Sequence, residues 1–257
     1  MKILVPLEQI LDPAGMMVNR KAGKVFVNRE VYMVNPVDTR ALEAALKIKD
    51  ATGAEVIAAT AGPARAEAAL REARAVGVDR AIRIHDDRGD IPAPVGRLYK
   101  ALCETIGGID LICAGDSALD SGVAIGPALA EALGVAFLGN AVECSVEGNV
   151  VRIIRRDVLA PTGRLHHAYE ADLPAVVTFT RDAPAPRYPH GGAIIDSYRK
   201  PDAVETWSMV DLGLSETDAQ PVIVERGQSF PPEREFGKEA TIEEVVEKIW
   251  TYTTSKP

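Results

Sequence analysis

Long apolar runs and helically spaced apolar residues take turns along the first half of this chain. Residues 2–7 form an apolar run of the kind that a strand buried on both faces requires, and residues 55–60, 80–84 and 111–114 repeat it. Between these runs the period changes to that of a helix. Val37, Ala41, Leu42, Ala45 and Ile48 share one face, and Ala66, Ala69, Leu70 and Ala73 share another. A further helix is predicted over 95–106, and a fourth ends near Gly134. Asn35-Pro36 opens the first helix as N-cap and first-turn proline, and Gly77 stops the second. Four strand–helix repeats demand right-handed crossovers and a parallel sheet covered on both faces. The predicted fold is α/β, a doubly wound, mostly parallel, Rossmann-like sheet suited to an adenine nucleotide.

Beyond Gly134 the pattern alternates at period two. Residues 142–146 and 150–156 flank Glu147-Gly148-Asn149, an antiparallel hairpin signal, and 163–170 predicts another strand. Residues 173–179 predict a buried strand returning to the core. A smaller hairpin excursion is expected at 17–19 and 24–27, around Ala22-Gly23. From Arg181 onward the chain is proline-rich and weakly periodic. It ends in a helix opened by the capping box of Thr241 and Glu244, with Ile242, Val245, Val246 and Ile249 as its stripe. Residues 183–240 have little capacity to form a core, which suggests an arm lying on something else, either its own domain or a partner. The expected organisation is a nucleotide-binding domain over 1–182 and an arm with terminal helix over 183–257, packing on a partner.

Composition narrows the function. With 47% hydrophobic residues a core needs no staples, and a net charge of −8 lacks the basic footprint that nucleic acid requires. Cys103, Cys113 and Cys144 form no C-x-x-C and are expected as reduced core residues. No run reaches 18 apolar residues, and residue 2 already opens a strand. A cytoplasmic protein without membrane span or signal peptide is the expectation.

Candidate chemistry centres on residues 109–134, where a strand, a loop of small residues and a helix follow one another. Glycine and serine at the carboxyl end of a parallel strand let backbone N–H groups approach an anion, and the helix start favours one. The stretch matches neither G-x-G-x-x-G nor the P-loop, so an ordinary tight turn stays open beside a phosphate cradle. Asp116 and Asp120 flank Ser117 and Ser121, either capping the loop or reaching a ribose. Arg155-Arg156 fits a solvated strand face better than an anion site. His85, His166, His167 and His190 have no metal-ligand spacing, and no acid, base or nucleophile stands out. Redox chemistry here would have to come from a cofactor. The strand ends at Pro6-Leu7, Ala61-Gly62 and 115–126, together with the helix start at Asn35, converge at the switch point of such a sheet. Helix starts at Asn35 and near Gly122 are expected to share the charges of a pyrophosphate. A stand-alone regulator of the universal-stress-protein type has the same repeats, but has no use for so long a tail.

The chain resembles the beta (small) subunit of electron transfer flavoproteins. The resemblance rests on Lys2-Ile3-Leu4-Val5, Val34-Asn35-Pro36-Val37-Asp38, Glu55-Val56-Ile57-Ala58, Gly62-Pro63, Gly126-Pro127, Leu173-Pro174-Ala175-Val176-Val177-Thr178 and Pro186-Arg187-Tyr188-Pro189, in order. It implies an electron carrier forming a heterodimer with a larger alpha subunit that holds most of the electron-carrying FAD. Flavin dehydrogenases, a quinone oxidoreductase or a ferredoxin-linked acceptor would be its redox partners. In the beta chain it implies AMP, or a second FAD in the electron-bifurcating branch. That nucleotide would meet Pro6, Asn35, Pro36, Val37, Asp38, Ala61, Gly62, Gly115, Ser117, Asp120, Ser121, Gly122, Val123, Ala124 and Ile125. The run from Ile194 to Leu212 resembles the bifurcating or nitrogen-fixation-associated branch. Val123, Ala124 and Ile125 replace the family's usual amide and hydroxyl side chains, which points to FAD over AMP.

Overall fold

A computed structural model describes residues 1–19, 21–85, 95–118, 125–157, 166–215 and 241–254. The chain divides into two compact units, one of Met1–Met17 with Phe26–Val224 and one of Val18–Val25 with Glu225–Pro257.

The first unit is built on a nine-stranded sheet. Strands β1 (Lys2–Pro6), β6 (Glu55–Gly62), β7 (Arg80–His85), β8 (Leu111–Gly115) and β12 (Ala175–Phe179) are its parallel centre. Helices α1 (Pro36–Thr52), α2 (Glu67–Ala75), α3 (Val95–Ile106) and α4 (Ile125–Leu133) form the crossovers. Short strands β2 (Gln9–Leu11) and β5 (Tyr32–Val34) pair antiparallel, and β3 (Met16–Asn19) pairs with β4 (Lys24–Val27) in a separate hairpin. The remaining strands of the large sheet are β9 (Ala136–Glu147), β10 (Val150–Arg156), β11 (His166–Asp172) and β13 (Glu205–Trp207), giving the order β11-β10-β9-β12-β8-β1-β6-β7-β13.

The apolar runs are explained by burial on both faces. Ile3, Val5, Val56 and Ala58 pack with α1 and α2, whereas Leu4, Ile57 and Ala59 pack with α3 and α4. The expected periodic residues of α1 and α2 are all buried. Helix α1 runs past Lys49 to Thr52, where Gly53 closes it in the left-handed conformation at φ 73°.

Strand β9 is longer than the alternation foretold. Residues 136–141 pair parallel with β12, and the same strand then continues into the antiparallel hairpin with β10. It bends at Asn140, whose φ of 62° is open to Asn at modest cost, and whose N–H donates to Thr178 Oγ1 at 3.2 Å. Helix α4 approaches this corner closely, because a Cβ on Gly126 would overlap the Thr178 methyl and sit 3.2 Å from the Phe137 ring.

Of the two placements expected for the arm, on its own domain or on a partner, residues 183–215 take the first and are tied to the sheet unit. The Arg187 guanidinium forks onto Glu43 at 2.9 and 3.1 Å and also reaches Asp50 at 2.8 Å. Helix α5 (Gly191–Arg199) lies on α2, where Arg71 donates to Ser197 O and stacks over the Tyr198 ring. Strand β13 then adds to β7 in parallel, fixed by a two-pronged Arg80–Glu205 pair at 2.9 Å. These contacts are made by polar and short segments, which carry no periodic signal.

In the second unit, helix α6 (Ile242–Thr254) realises the capping box. Thr241 N–H donates to Glu244 Oε2 at 3.0 Å, and Glu244 N–H donates to Thr241 Oγ1 at 3.3 Å. Ile242, Val246 and Ile249 on this helix are all more than half exposed. Among the described residues no helix is long and apolar enough to cross a membrane.

The close approach of α4 to β12 gives a stability test. Gly126→Ala is expected to lower the unfolding free energy by about 1–3 kcal/mol through overpacking. Adding Thr178→Ser removes the methyl group in the way while keeping the hydroxyl for Asn140. Chemical denaturation should show most of the loss recovered, and an unchanged loss would show that the methyl is not the obstacle.

Candidate functional site

The sheet opens between β1 and β8. These neighbours pair only at Ile3–Leu111 and Leu4–Ile112, whereas β1 stays paired with β6 as far as Pro6 and β8 with β12 as far as Gly115. Helices leave to opposite faces on either side of this gap, so it is the switch point, where ligands of open parallel sheets bind.

Helix α1 begins at the mouth of the gap, and its first turn closes the gap from below. Asp38 Oδ2 accepts from the Glu8 N–H at 2.8 Å, just beyond β1, and Oδ1 accepts from the Gly115 N–H at 3.2 Å, at the end of β8. Only glycine fits at 115, since a Cβ there would overlap Asp38 Oδ1 and lie 2.7 Å from Val37 Cγ2. Asp38 is buried, and that burial pushes its carboxyl up to about 8. The N–H donors of Glu8 and Gly115 and the Asn35 amide pull the other way.

Asn35 does not cap α1 with its side chain. Its Nδ2 instead donates to Ser117 O at 2.9 Å, across to the chain leaving β8. Backbone N–H groups of Asp38 and Thr39 are satisfied by Asn35 O, which frees the amide for that bridge. Asn35 is 1% exposed, and its Oδ1 is the buried side-chain atom without a hydrogen-bond partner among the described residues. Such an orphan costs about 1–3 kcal/mol unless a ligand supplies a donor.

The expected residues fall into place as follows. Pro6 ends β1, Ala61 and Gly62 end β6, Gly115 ends β8, and Ser117 follows it. Asn35, Pro36, Val37 and Asp38 form the start of α1, and partly buried Ile125 opens α4 against the second core cluster. Asp120, Ser121, Gly122, Val123 and Ala124 lie outside the described residues. Asp38, in the first turn of α1, takes its hydrogen bonds from the N–H groups of Glu8 and Gly115. Ser117 Oγ donates to Asp116 Oδ1 at 3.1 Å, the loop-capping role.

Next to the gap, beyond β8, is a cavity of about 470 Å³ lined by Asp116, Phe137, Asn140, Arg155, Tyr169 and Thr178, among others. Nothing in the hydrophobic pattern marks it, although the bend at Asn140 and the length of β9 create it. The thiols behave as core groups, with burial pushing Cys103 and Cys144 each up to about 12. No cluster of metal-ligating side chains occurs among the described residues. The geometry is that of an open switch point in a parallel sheet, bridged by Asp38 and Asn35.

The comparison with known proteins agrees with this architecture. The electron transfer flavoprotein domain matches residues 23–208. The caffeyl-CoA reductase-Etf complex subunit CarD of Acetobacterium woodii is 31% identical over 265 residues, spanning 100% of this chain and 97% of that protein. The electron transfer flavoprotein subunit beta of Bacillus subtilis is 30% identical over 243 residues, 93% of this chain and 91% of its own. Protein FixA of Azorhizobium caulinodans is 28% identical over 242 residues, 88% and 83% of the two chains. With the switch-point crevice and a match over most of its length, the chain belongs to the electron transfer flavoprotein family as a beta-subunit-type protein of flavin-dependent electron transport.

Proposed function

We propose that this chain pairs with an electron transfer flavoprotein alpha subunit and binds an adenine nucleotide at the switch point, a second FAD rather than AMP. The observation that carries the reading is Asn35 Oδ1, a buried acceptor awaiting a donor at the mouth of the β1–β8 gap. A nucleoside supplies such donors, on its ribose hydroxyls and on the adenine amino group. The sheet order β8-β1-β6 supports one layout for the ligand. Base and ribose lie over Ala61, Gly62, Pro6 and Asn35, and the phosphates follow the chain from Gly115 and Ser117 to Ile125. Asp120, Ser121, Gly122, Val123 and Ala124 belong to that phosphate end.

Room favours the dinucleotide. The cavity that has Asp116 in its lining has room for the remaining half of an FAD, with Phe137 and Tyr169 as apolar walls. Flavin supplies the electron-carrying chemistry of the complex, and the residues of this chain bind, orient and desolvate. The names of relatives from a caffeyl-CoA reductase complex and of a FixA protein fit a bifurcating carrier, serving flavin dehydrogenases and a ferredoxin- or quinone-linked acceptor. Exposed Ile242, Val246 and Ile249 on α6 fit a terminal arm that docks on the alpha subunit.

Two measurements test this reading. Denaturing the purified heterodimer and quantifying what is released should give two FAD and no AMP per dimer. One FAD with one AMP would overturn the second-FAD assignment, and one FAD alone would overturn the nucleotide site itself.

The second test follows from Asp38. Its folded pKa of about 8 lies above the unfolded value of 3.8, so the folded chain keeps a proton that the unfolded chain releases. This contribution is therefore fully present below pH 4 and is lost progressively up to about pH 8. Between those limits the wild type should lose stability relative to Asp38→Asn at roughly 1.4 kcal/mol per pH unit. Parallel stability–pH curves for the two proteins would refute a buried, titrating Asp38.

A further inference from the structure

At the β1 end of the crevice the Glu8 and Gly115 N–H groups and the Asn35 amide are engaged by described residues. Both Asp38 oxygens are committed to the N–H groups of Glu8 and Gly115, which removes from the crevice two N–H groups that an anion would otherwise use. The Asn35 amide hydrogens are engaged by Ser117 O and turned toward the Asp38 carboxylate, leaving Oδ1 with nothing to accept. The titratable groups acting on Asp38 are Glu8, at the exit of β1, and buried Tyr99 of α3, whose hydroxyl donates to Ala59 O at 3.0 Å. Both are acidic types that add no positive charge. A hydroxyl group satisfies such a site, whereas a phosphate brings further acceptors and charge of the same sign.

We propose that Asn35 and Asp38 make the crevice select adenine nucleotides whose ribose 2′ and 3′ hydroxyls are free, and reject those carrying a phosphate on either. Asn35 Oδ1 accepts from the ribose, and the Asp38 carboxylate behind it excludes a second anion. An acidic side chain that favours an unmodified ribose is a general solution in nucleotide-binding α/β sheets. Here it is reached by a different route, from the first turn of the helix after β1 rather than from the end of a second strand. The proposal rests on the adenine-nucleotide reading of this crevice and adds to it a rule of discrimination.

The test uses the intact heterodimer loaded with radiolabelled AMP, displaced by unlabelled AMP, adenosine 2′,5′-bisphosphate or adenosine 3′,5′-bisphosphate. At pH 9 the wild type should prefer AMP by roughly 100-fold, the scale of an uncompensated like-charge contact in a partly desolvated site. At pH 7 the preference should narrow, because Asp38 then holds its proton, while the added phosphates are ionised at both values. Asp38→Asn should bring the ratio to within about tenfold at both pH values while AMP still binds. Asn35→Ala, which removes only the acceptor, should weaken AMP more than the bisphosphates and serves if Asp38→Asn does not fold. A merely structural role would weaken all three ligands together and leave the ratio unchanged, which would overturn the proposal. Equal binding of AMP and bisphosphates by the wild type would overturn it while leaving the nucleotide site standing. A heterodimer that takes up no AMP, and whose crevice releases no nucleotide on denaturation, would overturn both.

Discussion

One carboxylate holds the switch point together. Adjacent parallel strands normally keep each other's backbone groups satisfied along their length. Pairing between β1 and β8 stops after Leu4 and Ile112, so the chain beyond each strand must find partners elsewhere. Asp38 supplies one oxygen to each side, and Asn35 reaches past it to Ser117 O. Two consequences follow. Position 115 is restricted to glycine by the oxygen lying against it, and the start of α1 is fixed relative to both strands. The two sides of the gap are thereby bridged by the first turn of α1. Burying that carboxylate is costly, as its raised pKa records, and the cost falls where a ligand would be held.

The parallel half of this fold was legible because burial on both faces leaves a simple signature. Runs such as Ile3-Leu4-Val5 and Leu111-Ile112-Cys113 are apolar at every position, since successive residues feed two separate cores. The helices between them show their periods because each presents one face. The strand ends then had to converge: Pro6 and Gly115 end the two strands beside the gap, Ala61 stands near the end of β6, and Asn35 to Asp38 open α1. What the pattern could not reveal was which of them face a ligand and which face each other. Asp38 reads as a ligand contact or as a tie equally well until its hydrogen bonds are seen. Asn35 reads as an N-cap, and only the carbonyl of Ser117, eighty-two residues away, draws its side chain elsewhere.

The later part of the chain was harder to read for a different reason. Helix α5 and strand β13 owe their places to Arg71, Arg80 and Arg187, whose partners lie on distant segments. Such long-range polar contacts have no period, and proline-rich sequence around them suggests an arm. Glu43 shows the same problem from the opposite side. It interrupts the apolar face of α1 as a nearly buried carboxylate, 5% exposed, and makes sense only once Arg187 covers it. A lone acidic residue inside an apolar helical face is thus a hint that a basic residue returns from elsewhere.

In the proposed reading, the carboxylate in the first turn of α1 also gives the crevice a direction. Two open helix starts would let a nucleotide lie either way round, with phosphate at either end. Under the proposed reading Asp38, set in the first turn of α1 and bonded to the Glu8 and Gly115 N–H groups, disfavours an anion at that start once it is ionised. Phosphate then goes to the chain that leaves β8, and the nucleoside to Asn35. A dinucleotide laid this way extends past β8 toward the hollow formed where β9 bends at Asn140, not toward β6 and β7. The bend in β9 and the carboxylate in α1 are far apart in sequence and serve different local ends. In the proposed reading the two together set which way a long ligand runs across the sheet, and therefore which face of the protein its far end meets.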